Sequence, residues 1–217
     1  LRLCGSAPLR EQKKISRKEG ESPRKKEIPL RLSYFASLRE HFIQMKKDFI
    51  LAGVGGQGIL SIAAIIGTAA INNGLYLKQA EVHGMSQRGG DVHSNLRISD
   101  KEIASDLIPE GQADMIISVE PMESLRYLPM LAPDGWLITN TTPHINIPDY
   151  PELDDVIAEI DKIPNHIRID ADNIAKDLGA KRSANMVILG AAAPFIGLDF
   201  EDLKNARRYL KRLNREI

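Results

Sequence analysis

The stretch Asp48-Phe49-Ile50-Leu51-Ala52-Gly53-Val54-Gly55-Gly56-Gln57-Gly58-Ile59-Leu60 decides the fold class, because an apolar strand runs directly into a glycine-dense turn that opens a helix. Gly53, Gly55 and Gly58 have the spacing G-x-G-x-x-G, which serves a tight turn, close backbone approach to a ligand and close helix-to-strand contact. Gly56 removes one more side chain from the loop. A helix starting there presents unpaired backbone N–H groups and the positive end of its dipole, so an anion or polar ligand edge is favoured above the turn. The same glycines also suit a turn that only lets helix and sheet approach closely, and both readings stand at this point.

Outward from the turn, strand and helix alternate, which predicts an α/β architecture with a largely parallel sheet. Strands are expected at Phe49 to Ala52, Tyr76 to Val82, Val92 to Ile98 with outward polar alternation, Met115 to Val119, Trp136 to Asn140 and His166 to Asp170. Helices are expected from Gln57 to about Ile71, ended by Asn72-Asn73-Gly74, then at Glu120 to Met130, Asp172 to Leu178, Asn185 to Phe195 and Phe200 to Arg215.

Charge divides the chain in two. Of 29 basic and 29 acidic side chains, residues 1–44 hold 11 and 5, leaving 18 and 24 for residues 45–217. The acidic body argues against nucleic acid as a ligand, and no apolar run reaches the roughly twenty residues that span a bilayer. Residues 1–44 are expected to be a basic, disordered extension, or alternatively a docking arm, with the functional protein beginning near Met45. No continuous apolar secretory segment is present, and the expected location is the cytoplasm. The single cysteine, Cys4, lies outside the body, which excludes disulfides, thiol nucleophiles and thiolate-held clusters there. The five histidines lack metal-ligand spacing.

A second unusual loop, Glu81-Val82-His83-Gly84-Met85-Ser86-Gln87-Arg88-Gly89-Gly90-Asp91, follows the second strand. If the first two strands are parallel neighbours, this loop faces the glycine turn across one cleft. Arg88 could clamp a phosphate or carboxylate, with Ser86, Gln87 and His83 supplying directed hydrogen bonds and Gly89 close backbone access; alternatively Arg88 pairs with Glu81 or Asp91. His83 reads as a hydrogen-bonded structural histidine rather than a base. Glu81 stands where a dinucleotide site holds its ribose acid, which keeps an NAD-dependent dehydrogenase as an alternative. Glu120-Pro121-Met122-Glu123 reads as a helix start with acids on the dipole, Asn140-Thr141-Thr142-Pro143 as turn chemistry, and Asn185 as a cap or core residue.

Together, Gly53-Val54-Gly55-Gly56-Gln57-Gly58, Glu81 to Gly90, Ser118-Val119-Glu120-Pro121-Met122-Glu123 and Asn185-Met186-Val187-Ile188-Leu189-Gly190 resemble the gamma-type subunits of 2-oxoacid:ferredoxin oxidoreductases, the indolepyruvate branch most nearly. The likeness runs from about Met45 to Phe195 and departs at Asp91 and His93-Ser94-Asn95. It implies a three-layer Rossmann-like catalytic domain over 45–217 with a C-terminal helix. It further implies an accessory subunit in the oxidative decarboxylation of an aryl-pyruvate with coenzyme A and ferredoxin, giving acyl-CoA, carbon dioxide and reduced ferredoxin. On this resemblance the chain holds no cofactor alone: thiamine diphosphate and iron–sulfur clusters belong to a large partner subunit, and coenzyme A is a co-substrate. Gly53, Gly55, Gly56, Gln57, Gly58, Ser86, Gln87, Arg88 and Gly89 are then the candidate surface for coenzyme A, substrate carboxylate or partner. A gamma subunit acting on pyruvate or branched 2-oxoacids and a purely structural assembly module are the remaining alternatives.

Overall fold

The computed structural model describes residues 45–84, 90–145 and 147–216. In chain order the elements are β1 (Lys46–Val54), α1 (Ile59–Asn72), β2 (Tyr76–His83), β3 (Asp91–Ser99), β4 (Ala113–Ser118), α2 (Pro121–Arg126), a 3-10 turn (Leu128–Met130), β5 (Leu131–Asn140), α3 (Leu153–Ile160), β6 (His166–Ile169), α4 (Ala171–Asp177), α5 (Ala184–Ile196) and α6 (Phe200–Glu216). The six strands form one sheet in the order β2-β3-β1-β4-β5-β6. β1, β4, β5 and β6 run parallel, whereas β3 is antiparallel to both of its neighbours.

The unbroken apolar run of β1 makes it the centre of this sheet, since Phe49, Ile50, Leu51 and Ala52 are all fully buried with alternate side chains on opposite faces. On one face Phe49, Leu51, Leu96, Met115, Ile117 and Ile138 meet α1, α5 and α6 through Ile62, Ile66, Ile188, Ile196 and Leu203. On the other, Ile50, Ile116 and Leu137 meet Val156 and Ile160 of α3 together with Ile108. The result is the expected three-layer, Rossmann-like arrangement. α1 ends at Asn73, whose backbone N–H bonds to Ala69 and Ala70 carbonyls, and Gly74 follows with φ +73°.

Four sequence expectations need correction. β1 and β2 are not neighbours, because β2 folds back on β3 as a hairpin and β3 takes the place beside β1. The expected helix from Glu120 to Met130 stops at Arg126: Pro129 has no N–H to donate and disfavours a helical Leu128, so the chain tightens into the 3-10 turn. No element was expected between Asn140 and His166, yet α3 forms there on Val156 and Ile160, which recur at i, i+4 and are buried. The polar side chains of β3 do not face solvent, because residues 105–108 cover them. Asn95 accepts from the Ile108 N–H at 3.1 Å, and Arg97 donates to the Ser105 and Leu107 carbonyls while forking onto buried Asp48 at 2.8 and 2.9 Å.

Candidate functional site

The parallel strands bring the ends of β1, β4, β5 and β6 to one sheet edge, and helices leave that edge toward both faces. Open α/β sheets bind ligands at such a switch point. Between β1 and α1 the chain makes a turn whose glycines have distinct reasons. A Cβ on Gly53 would lie 2.4 Å from the Val119 side chain, so this glycine permits contact with the start of the β4 crossover. Gly56 and Gly58 have φ of +98° and +80°, and a Cβ on Gly58 would lie 2.5 Å from the Asn185 amide nitrogen.

Part of the turn's hydrogen-bonding capacity is already used. The Gln57 side-chain oxygen accepts from the Val54 N–H at 2.8 Å, the Gln57 N–H donates to the Val54 carbonyl at 3.1 Å, and the Gly55 N–H donates to the Gly90 carbonyl at 3.0 Å. The amides of Gly56, Gly58, Ile59 and Leu60 have no acceptor among the described residues. All four of those residues line one recess of about 260 Å³, closed on its far side by Val92, Glu81 and His83. α1 carries no acid in its first turn and no side-chain cap. Amides at a helix N-terminus that lack an acceptor among the described residues are the kind of group that can receive an anionic or polar ligand edge.

Glu81 and His83 are paired, with Oε1 2.6 Å from Nε2. The contact is an ion pair rather than a well-aligned hydrogen bond, since Glu81 Oε1 has no hydrogen-bond partner among the described residues. It also occupies the acid that a dinucleotide site would aim at ribose, and β3 separates β2 from β1, so the neighbouring parallel strands of that alternative are absent. Gly90 reaches the turn as expected, by way of the hairpin instead. Ser86, Gln87, Arg88 and Gly89, with residues 1–44, lie outside the described residues. The two carboxylates considered as partners for Arg88 both have described partners, since Asp91 accepts from the Tyr127 hydroxyl at 3.0 Å.

The β4–α2 junction is built differently. Glu120 and Glu123 are almost wholly buried. Glu120 is the N-cap: one oxygen accepts from the Glu123 N–H at 2.8 Å, and the other accepts from the Tyr150 hydroxyl at 2.5 Å and the His144 N–H at 3.3 Å. Burial, helped by the hydrogen bond to Glu120, pushes the Tyr150 hydroxyl well above its ordinary range, so it remains a donor. Burial also raises the Glu123 carboxyl, against the opposing hydrogen bond and charge of Arg126. Neighbouring His93 stacks on Tyr127 with ring centroids 4.5 Å apart, and burial lowers its imidazole against the pull of Asp91. Asp91 and His93 thus meet on Tyr127.

Two residues do more than the sequence indicated. Asn185 neither caps nor fills the core; its Nδ2 donates to the Gly58 carbonyl at 3.0 Å and ties α5 to the turn. Asn140 joins β5 to α4, accepting from the Ala171 N–H at 3.0 Å and donating to Asp172 at 2.7 Å. A polar residue at the head of an apolar helix was a visible signal for the first. The Tyr150 tether had none, because its partner lies thirty residues away. Among the described residues no cluster of His, Cys, Asp or Glu could hold a metal ion, and no helix is long and apolar enough to cross a membrane.

Residues 48–213 match the family model described as pyruvate ferredoxin/flavodoxin oxidoreductase. The chain belongs to this family. It is 39% identical over 163 residues to the indolepyruvate oxidoreductase subunit IorB of Archaeoglobus fulgidus, covering 72% of this chain and 80% of the relative. The IorB subunit of Methanothermobacter thermautotrophicus is 37% identical over 173 residues, covering 76% and 87%. The solved gamma subunit of a keto/oxoacid ferredoxin oxidoreductase from Geobacter sulfurreducens superposes with a TM-score of 0.54 at 26% identity, covering 74% of this chain and 83% of that one. The family resemblance read from the glycine turn and the later motifs is therefore correct. The chain is an accessory-type subunit of a 2-oxoacid:ferredoxin oxidoreductase, a multi-subunit enzyme with ferredoxin as acceptor.

Proposed function

We propose that this cytoplasmic subunit completes an indolepyruvate-type oxidoreductase by binding coenzyme A at the β1–α1 recess, beside the thiamine- and cluster-bearing centre of a large partner subunit. The observation that supports this reading is the set of four amides without an acceptor among the described residues, on Gly56, Gly58, Ile59 and Leu60, which line one recess. A recess of about 260 Å³ is smaller than a whole drug-sized pocket, so it suits one anionic end of an extended molecule. A phosphate group there meets backbone donors and a helix dipole without a competing carboxylate in the first turn. Gln57 and Asn185 hold the turn open in that shape by spending their side chains on its backbone. Ser86, Gln87, Arg88 and Gly89, which follow β2 in the chain, remain candidates for the outer part of the ligand or the substrate carboxylate.

Thiamine diphosphate in the partner supplies carbanion stabilisation, and its clusters carry single electrons. What this chain contributes is a fixed position for the acyl acceptor, which raises the effective concentration of its thiol at the reacting centre. The IorB relatives support indolepyruvate as the 2-oxoacid.

Anaerobic co-expression with the large subunit of the same organism tests the reading, with viologen or ferredoxin reduction followed across a panel of 2-oxoacids. Coenzyme A-dependent turnover, fastest with indolepyruvate and requiring both chains, is expected. Turnover by the isolated chain, or by the large subunit alone at the same rate, would refute the accessory role. A different preferred 2-oxoacid would correct the substrate only.

A further inference from the structure

Gly190 stands in the middle of α5, where glycine lowers helix stability relative to almost any other residue. Nothing inside the described protein requires it. It lies in a regular helix, and no atom outside its own helix backbone comes within 4 Å of the position a Cβ would take. The space above it opens into a trough. One part, about 440 Å³, is walled by Ile174 of α4 and Leu178 just after it, Met186 and Val187 of α5, and Phe200 and Arg207 of α6. An adjoining part, about 380 Å³, shares Gly190, Ala193 and Phe200 and continues past Pro194 to Gly197. The trough follows the thirteen residues of α5, which at about 1.5 Å each gives roughly 20 Å, the length of a short helix.

Its walls are apolar yet open to solvent: Leu178 is 74% exposed, Phe200 54% and Ile174 38%. Such a contiguous patch marks an interaction surface. The two charged side chains that line it, Lys204 and Arg207, are both cationic, although the body of the chain carries a net negative charge. Lys181 and Arg182 immediately precede Ser183, which lines the trough, and Arg207 borders it; none of these three cations has an ion-pair partner among the described residues. Lys204, by contrast, is held by Glu201 at 2.5 Å. A two-fold contact between copies would set one cationic rim against another, so a second copy is a poor occupant.

Building on the accessory-subunit reading, we propose that the trough receives an amphipathic helix of the large partner subunit, with apolar side chains seated over Gly190 and acidic side chains meeting Lys181, Arg182 and Arg207. The mode is helix-in-groove recognition. Because Asn185 links the head of α5 to the Gly58 carbonyl, the docked helix lies against the same element that shapes the recess.

The test uses the full chain co-expressed with the large subunit. Gly190→Leu fills the floor, and Arg207→Glu reverses a rim charge. Each is expected to weaken capture of the large subunit by about tenfold or more, as for a central contact in an interface. Capture by the unaltered chain should also weaken with added salt. Leucine is the better helix former, so Gly190→Leu alone should melt no lower than the parent, which separates lost docking from lost folding. A benzoylphenylalanine cross-linker placed at Leu178 should attach to an acidic amphipathic segment of the large subunit. Unchanged capture by both variants would overturn the trough while leaving the accessory role standing, and so would cross-links to a second copy or within the chain. If the unaltered chain captures no large subunit, the accessory reading falls and this inference with it.

Discussion

Two strand-to-helix junctions stand on the same sheet edge, and they treat their helix starts in opposite ways. At β4–α2 the protein supplies its own anion: Glu120 caps the helix, takes the Glu123 N–H, and is itself held by Tyr150 and His144. At β1–α1 there is no side-chain cap, no acid in the first turn, and four amides lacking acceptors among the described residues, on residues that line one recess. Both helix starts need negative charge, because each presents orphan donors and the positive end of a dipole. One carries that charge permanently; the other, on the reading proposed above, takes it from a ligand. The contrast locates the candidate site more sharply than the glycines alone, since a structural turn would be expected to satisfy its own donors.

The largest expected effect tests the closed junction. Glu120→Ala should cost roughly 2–6 kcal/mol in urea unfolding, because it leaves the Tyr150 hydroxyl and the Glu123 N–H without their acceptor at about 1–3 kcal/mol each. Glu120→Gln keeps an acceptor in place and should cost much less. Neither should alter the coenzyme A dependence of turnover in complexes that still assemble. A selective rise in the KM for coenzyme A would mean that the Glu120 junction, rather than the glycine turn, faces the ligand.

A third junction, β6–α4, extends the comparison with a smaller effect. Asp170 caps α4 by accepting from the Asn173 N–H at 3.1 Å, and this bond with the Asn173 side chain holds its carboxyl below the ordinary range. Asp170→Ala should therefore lose about 1 kcal/mol at neutral pH. The sign with pH follows from the lowered value: the contribution is present above the unfolded pKa of 3.8 and disappears as pH falls through the lower folded one. Parent and variant should converge in stability in acid. Asp170→Asn, which retains a cap, should stay close to the parent throughout.

Much of this was legible because it is local. The apolar run Phe49 to Ala52 had to be a central strand, and Gly56 and Gly58 sit at positive φ where the turn needs them. Pro121 at the first turn of α2 and Asn73-Gly74 after α1 punctuate the helices where their residue types suggest. What stayed hidden depends on residues far apart in the chain. That Gln57 would close the turn on the Val54 N–H, and that the Gly90 carbonyl would consume the Gly55 N–H, decides which donors remain for a ligand. The insertion of β3 beside β1 has the same origin: spacing identifies strands, whereas pairing order is set by which edges meet in three dimensions. Helix α3 is a different kind of omission, since the spacing of Leu153, Val156, Ile157 and Ile160 was present in the sequence.

The smallest effect on stability gives the most discriminating test of the comparison, because it converts the open junction into a closed one. Leu60 lies in the first turn of α1, is 46% exposed and borders the recess. Leu60→Glu places a carboxylate in the first turn of α1, one position before the one Glu123 takes in α2, and should stabilise the isolated chain by about 0.3–1 kcal/mol through the helix dipole. In the assembled enzyme the same carboxylate competes with an incoming phosphate, so the KM for coenzyme A should rise several-fold while the rate at saturation changes little. Leu60→Gln should leave both properties near the parent values. Stability gained together with affinity lost is the signature of a helix start held open for an anion. If Leu60→Glu stabilises the chain and leaves the coenzyme A dependence unchanged, the open amides serve only water, and the two junctions differ in how they are capped but not in function.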